Sequence, residues 1–319
     1  MSEYIAWLDE PLGVTAERVG GKAASLARLG AAGFPVPPGF AVTVAGYRAF
    51  HAAAGLDGAV QLLSTLAERP SMAAVREGCA PILAKLEGAR LPERVAADIS
   101  EASAQLEAKA AKRATFAVRS SGVSEDGAGA SFAGLYESYL NLRGASAILK
   151  AVEDCYRCLW QPRAAHYRAI KGVDHAKEAM GVVVMQTVVS HVSGVAFSLN
   201  PVTGARDEVL INASWGLGES IVSGFVTPDN YIALKDGTVA TKDVYEKQVR
   251  VVPARGGTRR EDVPAAMAMA PALDDGQIAQ VATTTAAIEE QYGCAVDIEF
   301  AYDVKGRFYL LQARPITTR

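Results

Sequence analysis

The chain has 319 residues, enough for about two units with real cores at roughly 150 residues each. Half of it is hydrophobic and 21% charged, and 32 basic against 35 acidic residues leave a net charge of −3, which excludes disorder and collagen and argues against general nucleic-acid binding, though not against a local basic site for a phosphate ligand. No apolar run reaches the ~18 residues of a membrane span and the Met-Ser-Glu-Tyr start has neither the basic nor the apolar part of a signal peptide, so a cytoplasmic protein without membrane or nucleic-acid partners is expected.

In chain order, residues 22–29 follow Gly20-Gly21 with Ala and Leu at helical spacing and stop signals at Gly30 and Gly33. Pro35, Pro37, Pro38 and Gly39 force an extended turn; residues 40–43 then read as the end of a strand, with Thr43 capping the next helix. Helices are predicted over 58–68, 71–88 and 92–112. A short β-rich run at 115–119 feeds a loop of Gly, Ser and acidic residues over 120–134. A helix-like run from about Ala145 holds Cys155-Tyr-Arg-Cys158. With only four cysteines, no second pair for a zinc ribbon and no preceding strand for a redox motif, these two read as small half-buried helix residues in a reducing compartment.

The second half changes character. A buried-strand pattern over 181–189 is continued at 192–198, 208–213, 230–234 and 239–252. One long helix over 275–292 precedes two last strands, 296–302 and 307–313. There is no internal repeat, and the pattern predicts two α+β lobes, residues 1–185 and 186–319, with a ligand between them.

Three segments could carry chemistry. On the last two strands, Asp297 and Glu299 stand two apart, as do Gln312 and Arg314, so each pair shares a face. A two-residue turn at Lys305-Gly306 would set Glu299 opposite Gln312 and Asp297 opposite Arg314. Two carboxylates, an amide oxygen and a guanidinium suit a Mg²⁺ ion carrying polyphosphate, although a solvated face of cross-strand salt pairs has the same composition. The loop from Arg119 to Gly134 offers backbone amides and hydroxyls to an anion, yet it is neither a Walker loop nor a dinucleotide GxGxxG, and composition alone equally suits a mobile surface loop. Gly20-Gly21-Lys22 at a helix start is a third anion-binding arrangement, weak when taken alone.

These segments belong to a larger set. Val19-Gly-Gly-Lys-Ala-Ala-Ser-Leu, Phe34-Pro-Val-Pro-Pro-Gly-Phe, Phe116-Ala-Val-Arg-Ser-Ser, Glu125-Asp, Ala130-Ser-Phe-Ala-Gly, Ser214-Trp-Gly-Leu-Gly-Glu, Asp297-Ile-Glu and Gln312-Ala-Arg-Pro occur in this order over nearly the whole chain. The set resembles the nucleotide-binding module of the phosphoenolpyruvate synthase and pyruvate phosphate dikinase family, an ATP-grasp fold also found in rifampicin phosphotransferase and phenylphosphate synthase.

The resemblance implies an α+β, two-lobed ATP-grasp fold with the nucleotide between the lobes. By the family pattern Lys22, Arg119 and Arg314 contact the ATP phosphates, Glu299 and Gln312 hold Mg²⁺, and Asp297 supports that site. Gly134 and Ser138 fall where a mobile loop touches the phosphates, Gln186, Val188 and Val189 fall on the linking strand that grips adenine, and Glu219 lines the nucleotide pocket. The implied reaction is that of an ATP-dependent phosphotransferase. A pyrophosphoryl group moves from MgATP to a histidine on a swivelling domain, phosphate is released, and the remaining phosphoryl group passes to pyruvate or another small acceptor such as phenol or an antibiotic hydroxyl, leaving AMP.

None of His51, His166, His175 and His191 follows the Gly-rich Thr-Ser-His-Ala type of sequence that carries phosphate in the family. The phosphohistidine carrier is therefore expected on a separate subunit or on a further part of one long chain. Leu135-Tyr136 stand where phosphoenolpyruvate synthases tend to have Gln-Gln, so the final acceptor is not fixed. The alternative is a carboxylate–amine ligase working through an acyl phosphate, as other ATP-grasp proteins do. A purely regulatory nucleotide binder is disfavoured because every phosphate and metal position is filled.

Overall fold

The structure, a computed structural model, describes residues 2–66, 70–110, 114–125 and 135–316. Gly134 and the rest of the predicted phosphate loop after Glu125 lie outside the described residues. The architecture is α+β. The chain divides into two compact units: residues 1–31 with 38–186, and residues 32–37 with 187–319.

The first unit is built on strands β1 (Ile5–Trp7), β2 (Gly39–Val42), β3 (Phe116–Gly122), β4 (Ser138–Leu142) and β5 (Met180–Gln186), in the order β1-β2-β5-β3-β4 with every neighbouring pair antiparallel. Met180 to Met185 in the central β5 are all buried, which is why this strand reads as an unbroken apolar run. Helices Val44–Ala53, Glu93–Lys109 and Gly144–Cys158 bury Phe50, Val95, Ile99, Val152 and Tyr156 in the same core as Phe40 and Val184. Cys155 and Cys158 are buried rather than half-buried, and burial pushes the Cys158 thiol up to about 12 and Cys155 well above its ordinary value, so both are inert packing residues.

Several elements differ from expectation. The helices predicted over 58–68 and 92–112 end earlier, at Ser64 and Lys109. Thr43 does sit at the N-cap of Val44–Ala53, but its hydroxyl donates to the carbonyl of Glu3 instead of capping. β4 has no apolar alternation to announce it, and Asn141 within it has a φ of +59°, the left-handed region Asn tolerates. Ser120 to Gly122, assigned to the loop, complete β3, and both serines are buried.

The second unit carries β6 (Ser190–Phe197), β7 (Glu208–Trp215), β8 (Asp229–Leu234), β9 (Val239–Asp243), β10 (Val249–Ala254), β11 (Gly257–Asp262), β12 (Val296–Asp303) and β13 (Phe308–Pro315). Six form an antiparallel sheet in the order β13-β12-β6-β7-β8-β9, and β10 pairs with β11 as a separate hairpin. The helix Asp275–Tyr292 starts at a capping box between Asp274 and Gln277, ends at Gly293 in the left-handed region, and packs on one face of the six-stranded sheet. Tyr302 marks that face, its hydroxyl donating to the carbonyl of Gln277. Alternation then sends Asp297 and Glu299 to the opposite face.

The single strand expected over 239–252 is two strands in different sheets. Between them the chain turns inward to bury Lys247, whose ammonium pairs with Asp229 at 2.5 Å, while the same carboxylate also accepts from Tyr231 and from the amides of Tyr245 and Ala272. A fully buried ion pair survives only with its remaining hydrogen bonds satisfied, as here. β11 escapes the sequence pattern because it is polar throughout.

Candidate functional site

The strand pair β12–β13 places four of the predicted residues. Glu299 is opposite Gln312 and Asp297 opposite Arg314, the expected partners, but not through a two-residue turn. Asp303 and Arg307 bracket a three-residue loop: the Asp303 amide donates to the Arg307 carbonyl, the Asp303 carboxylate accepts from the amides of Lys305 and Arg307, and Gly306 supplies a φ of +74°. That loop sets Tyr302 opposite Phe308 and Phe300 opposite Leu310, one residue out of the expected register. A β-bulge between Glu299 and Phe300 on one side, with Leu311 as the extra residue on the other, restores it. Were Leu311 paired in the ladder rather than bulged, Gln312 would stand opposite Ile298, and both Gln312 and Arg314 would face the helix.

On this face the Arg314 guanidinium donates through Nε to both Asp297 oxygens, at 2.9 and 3.0 Å. Burial holds the Asp297 carboxyl above its ordinary value; Arg314 pulls it back and the negative charge of Glu299 adds to the rise. Gln312 is buried and Glu299 half-buried. Two neighbouring carboxylates, one of which raises the other, form with the amide oxygen across the strand a hard-oxygen donor set that a divalent cation would relieve. Among the described residues no group of three or more His, Cys, Asp and Glu is placed to hold a metal ion. The oxygen donors present, two carboxylates and an amide, are of the hard type that fits Mg²⁺, which keeps few protein ligands and takes the rest from phosphate and water.

In the first unit the anchor is β3. Gly20 has a φ of +81° and lies so close to this strand that a side chain would stand 1.8 Å from the Ser121 carbonyl oxygen. The first glycine of Gly20-Gly21-Lys22 thus serves close backbone approach. The contact seats Lys22 beside the end of β3: its ammonium donates to the Ser120 carbonyl at 3.1 Å and pairs with Glu125, while the other Glu125 oxygen accepts from the Gly122 amide at 3.0 Å. Ala23 donates its amide to the Ser121 hydroxyl. Glu125 is the residue to which sequence reasoning gave no role. Its signal was present as the Glu125-Asp motif, but nothing local joined it to a lysine 103 positions earlier.

Arg119 stands on β3 directly opposite Ser138 on β4, so both share a face. Gln186 ends β5 opposite Phe116, with its amide on the Pro38 carbonyl. Val188 and Val189 fall in the second unit, where the Val188 carbonyl accepts from the Ser190 hydroxyl and Val189 is exposed. Glu219 is exposed on the short helix Glu219–Val222 and is held by the Thr258 hydroxyl of β11, at 2.9 Å. The structure thus gathers Lys22 with the end of β3 inside the first unit, and Asp297, Glu299, Gln312 and Arg314 on one sheet face of the second.

Residues 16–319 match the family described as "Pyruvate phosphate dikinase, AMP/ATP-binding domain". A probable phosphoenolpyruvate synthase of Methanocaldococcus jannaschii is 40% identical over 99% of this chain, a phosphoenolpyruvate synthase of Pyrococcus furiosus 36% over 99%, and a rifampicin phosphotransferase of a Streptomyces species 38% over 94%. The matches span 27%, 44% and 34% of those proteins' own lengths, so this chain corresponds to less than half of each. Among solved structures, D-cycloserine synthetase DcsG is similar at 13% identity and a TM-score of 0.26, over 90% of this chain and 59% of its own. A likeness that distant says nothing about chemistry. No helix among the described residues is long and apolar enough to cross a membrane.

Proposed function

Starting from a chain that belongs to the pyruvate phosphate dikinase AMP/ATP-binding domain family, we propose that it binds ATP as the Mg²⁺ complex and transfers a phosphoryl group to a histidine that none of its own four supplies. The observation that carries the reading is the pair of rungs on β12–β13, where Asp297 faces Arg314 and Glu299 faces Gln312 on one sheet face. Mg²⁺ bound there would neutralise negative charge on phosphate oxygens. Glu299 and Gln312 would be its ligands, and Asp297 would set the direction of Arg314 through the two-oxygen contact.

Phosphoryl transfer needs alignment and charge stabilisation more than covalent help from the protein. Arg314, Arg119 and Lys22 are the cations proposed to meet the phosphates, together with Gly134 and with Ser138, which stands opposite Arg119. For Lys22 this means sharing its ammonium between Glu125 and a phosphate oxygen, so Glu125 becomes the residue that aims it. Gln186, Val188, Val189 and Glu219 are proposed to contact the nucleoside.

The proposed nucleophile is an imidazole nitrogen on a separate domain or subunit. In this chain His175 is buried and accepts from Arg168, and His51 pairs with Asp57. His191 lies on β6 against Trp215, with ring centroids 5.2 Å apart. Final transfer to pyruvate or another small acceptor would take place on that partner.

The test incubates this chain with ATP labelled at the β position, alone and with a partner domain bearing a Thr-Ser-His-type sequence. Label on the partner's histidine, with little AMP in its absence, is the expected result. Stable label on a histidine of this chain, or rapid AMP formation without the partner, would overturn it.

A further inference from the structure

The rung that carries the proposed metal ligands does not stop at β12. Gln312 is opposite Glu299, Glu299 opposite Val195 on β6, Val195 opposite Asn212 on β7, and Asn212 opposite Asn230 on β8, so one row crosses five of the six strands. Directly opposed residues share a face, which puts the whole row on the face turned away from the helix Asp275–Tyr292. The adjacent row, on the helix face, is Ala313, Ile298, Ala196, Ile211 and Tyr231, every one of them buried. The sheet is thus a packed core on one side and a largely polar row on the other.

Asn212 is the residue on that row which the sheet itself does not explain. It lies in mid-strand between the buried Ile211 and Ala213, on a strand paired along both edges. Asn is depleted in strands, because its side chain competes for backbone hydrogen bonds and packs poorly on a pleated surface, so Val or Thr would serve the ladder better. Asn212 is half-buried; its amide has no hydrogen-bond partner among the described residues, and neither amide atom is sealed from solvent. Between it and Glu299 lies only Val195, so the two polar residues flank a short apolar floor across two strand spacings, about 10 Å from backbone to backbone. A neutral amide suits that place. A lysine would pair with Glu299 and compete with a metal ion, and a carboxylate would repel phosphate, whereas an amide nitrogen donates to a phosphate oxygen without changing the charge of the site.

We propose that Asn212 is a further polyphosphate-binding residue, its Nδ2 donating to an oxygen of the β- or γ-phosphate, the two groups that a metal ion bridges in bound nucleoside triphosphates. The proposal rests on the MgATP reading and adds to it a contact from β7, across Val195 from Glu299. It also gives Asn212 a part in discrimination. AMP keeps only the α-phosphate, so a contact made beyond that group holds ATP and is lost once the polyphosphate has been transferred.

The experiment compares the full chain with Asn212→Val by calorimetric titration of ATP and of AMP in saturating Mg²⁺, and by urea unfolding. The substitution is expected to weaken ATP by about tenfold, the weight of one hydrogen bond to a charged group, and to leave AMP within about twofold. The fold should be at least as stable as the parent's, since Val suits a strand; a merely structural asparagine would not combine unchanged stability with a loss confined to ATP. Should Asn212→Val not fold, Asn212→Asp keeps the shape and adds a negative charge, and is expected to weaken ATP by more than about tenfold. ATP binding within about twofold of the parent in a folded variant, or an equal loss for ATP and AMP, overturns the proposal and leaves the MgATP reading standing. Failure of both variants to fold makes Asn212 a packing residue and overturns it as well, while a parent that binds no MgATP overturns the proposal and the reading together.

Discussion

In the second unit the proposed metal ligands stand on neighbouring strands, held by ladder register and one bulge, whereas in the first unit Lys22 reaches the end of β3 only because Gly20 lets two distant segments touch. Register is a local property of two strands joined by a short loop. The Lys22–Glu125 contact is a tertiary one, largely buried on both sides. The two sets of residues therefore differ in what else they do: Lys22 ties Glu125 and the end of β3 together in addition to its proposed contact with phosphate, while Glu299 stands on a rung that the surrounding sheet maintains without it.

That difference is most exposed by Lys22→Met. Removing one partner of a buried pair leaves the other uncompensated, at a cost of ~3 to 5 kcal/mol. Urea unfolding should show a loss of that size in addition to weaker ATP binding, and Glu125→Gln in the same background should recover much of it. A Lys22→Met protein as stable as the parent would mean the pair is not structural.

Glu299→Ala should behave oppositely, with phosphoryl transfer falling by ~10² to 10³ as a charge-stabilising group is lost and unfolding free energy shifting by under about 1 kcal/mol. Rate and stability measured on one preparation separate the two. If the variant melts far below the parent yet transfers normally when folded, the rung is structural only.

Deleting Ala313 attacks the register itself. Gln312 and Arg314 would become neighbours on β13, and alternation would turn one of them toward the helix. Loss of Mg²⁺-dependent nucleotide binding in a chain with unchanged helix content is the expected outcome, read by calorimetry and circular dichroism.

The smallest effect is a pH dependence in the first unit. The folded His175 titrates near 4 against an ordinary 6.5, so it adds stability that is fully present above about 6.5 and is lost as pH falls from there toward 4, where the unfolded chain takes up a proton that the fold resists. His175→Gln can still accept from Arg168 without titrating, and should flatten that part of the stability curve.

The same contrast between local register and tertiary contact decides how much of the molecule was legible in its sequence. The partners of Asp297 and Glu299 follow from strand period, and the expected pairs are found even though the turn assumed for them is wrong, because a loop longer by one residue and a bulge of one residue cancel. The core strand β5 was legible as an apolar run and the helix Asp275–Tyr292 from its spacing and Gly293. β4 and β11 were not, since neither buries a periodic apolar face, and the break between β9 and β10 was hidden because Lys247 looks like any surface lysine until Asp229 is beside it. Glu125 stayed without a role for the same reason. Family motifs identified its position, but only the fold shows which cation it aims.

Under the proposed function, Lys22 and Glu299 act on one MgATP. Calorimetric titration of ATP with and without Mg²⁺ into the parent, into Lys22→Arg, which keeps the charge beside Glu125, and into Glu299→Ala tests it most directly. The expected result is one ATP per chain, tightened by Mg²⁺ in the parent, weakened by the substitution in either unit, and no longer tightened by Mg²⁺ in Glu299→Ala. Nucleotide binding that is independent of Mg²⁺ in the parent, or that responds to the substitution in one unit and is indifferent to the other, would contradict it.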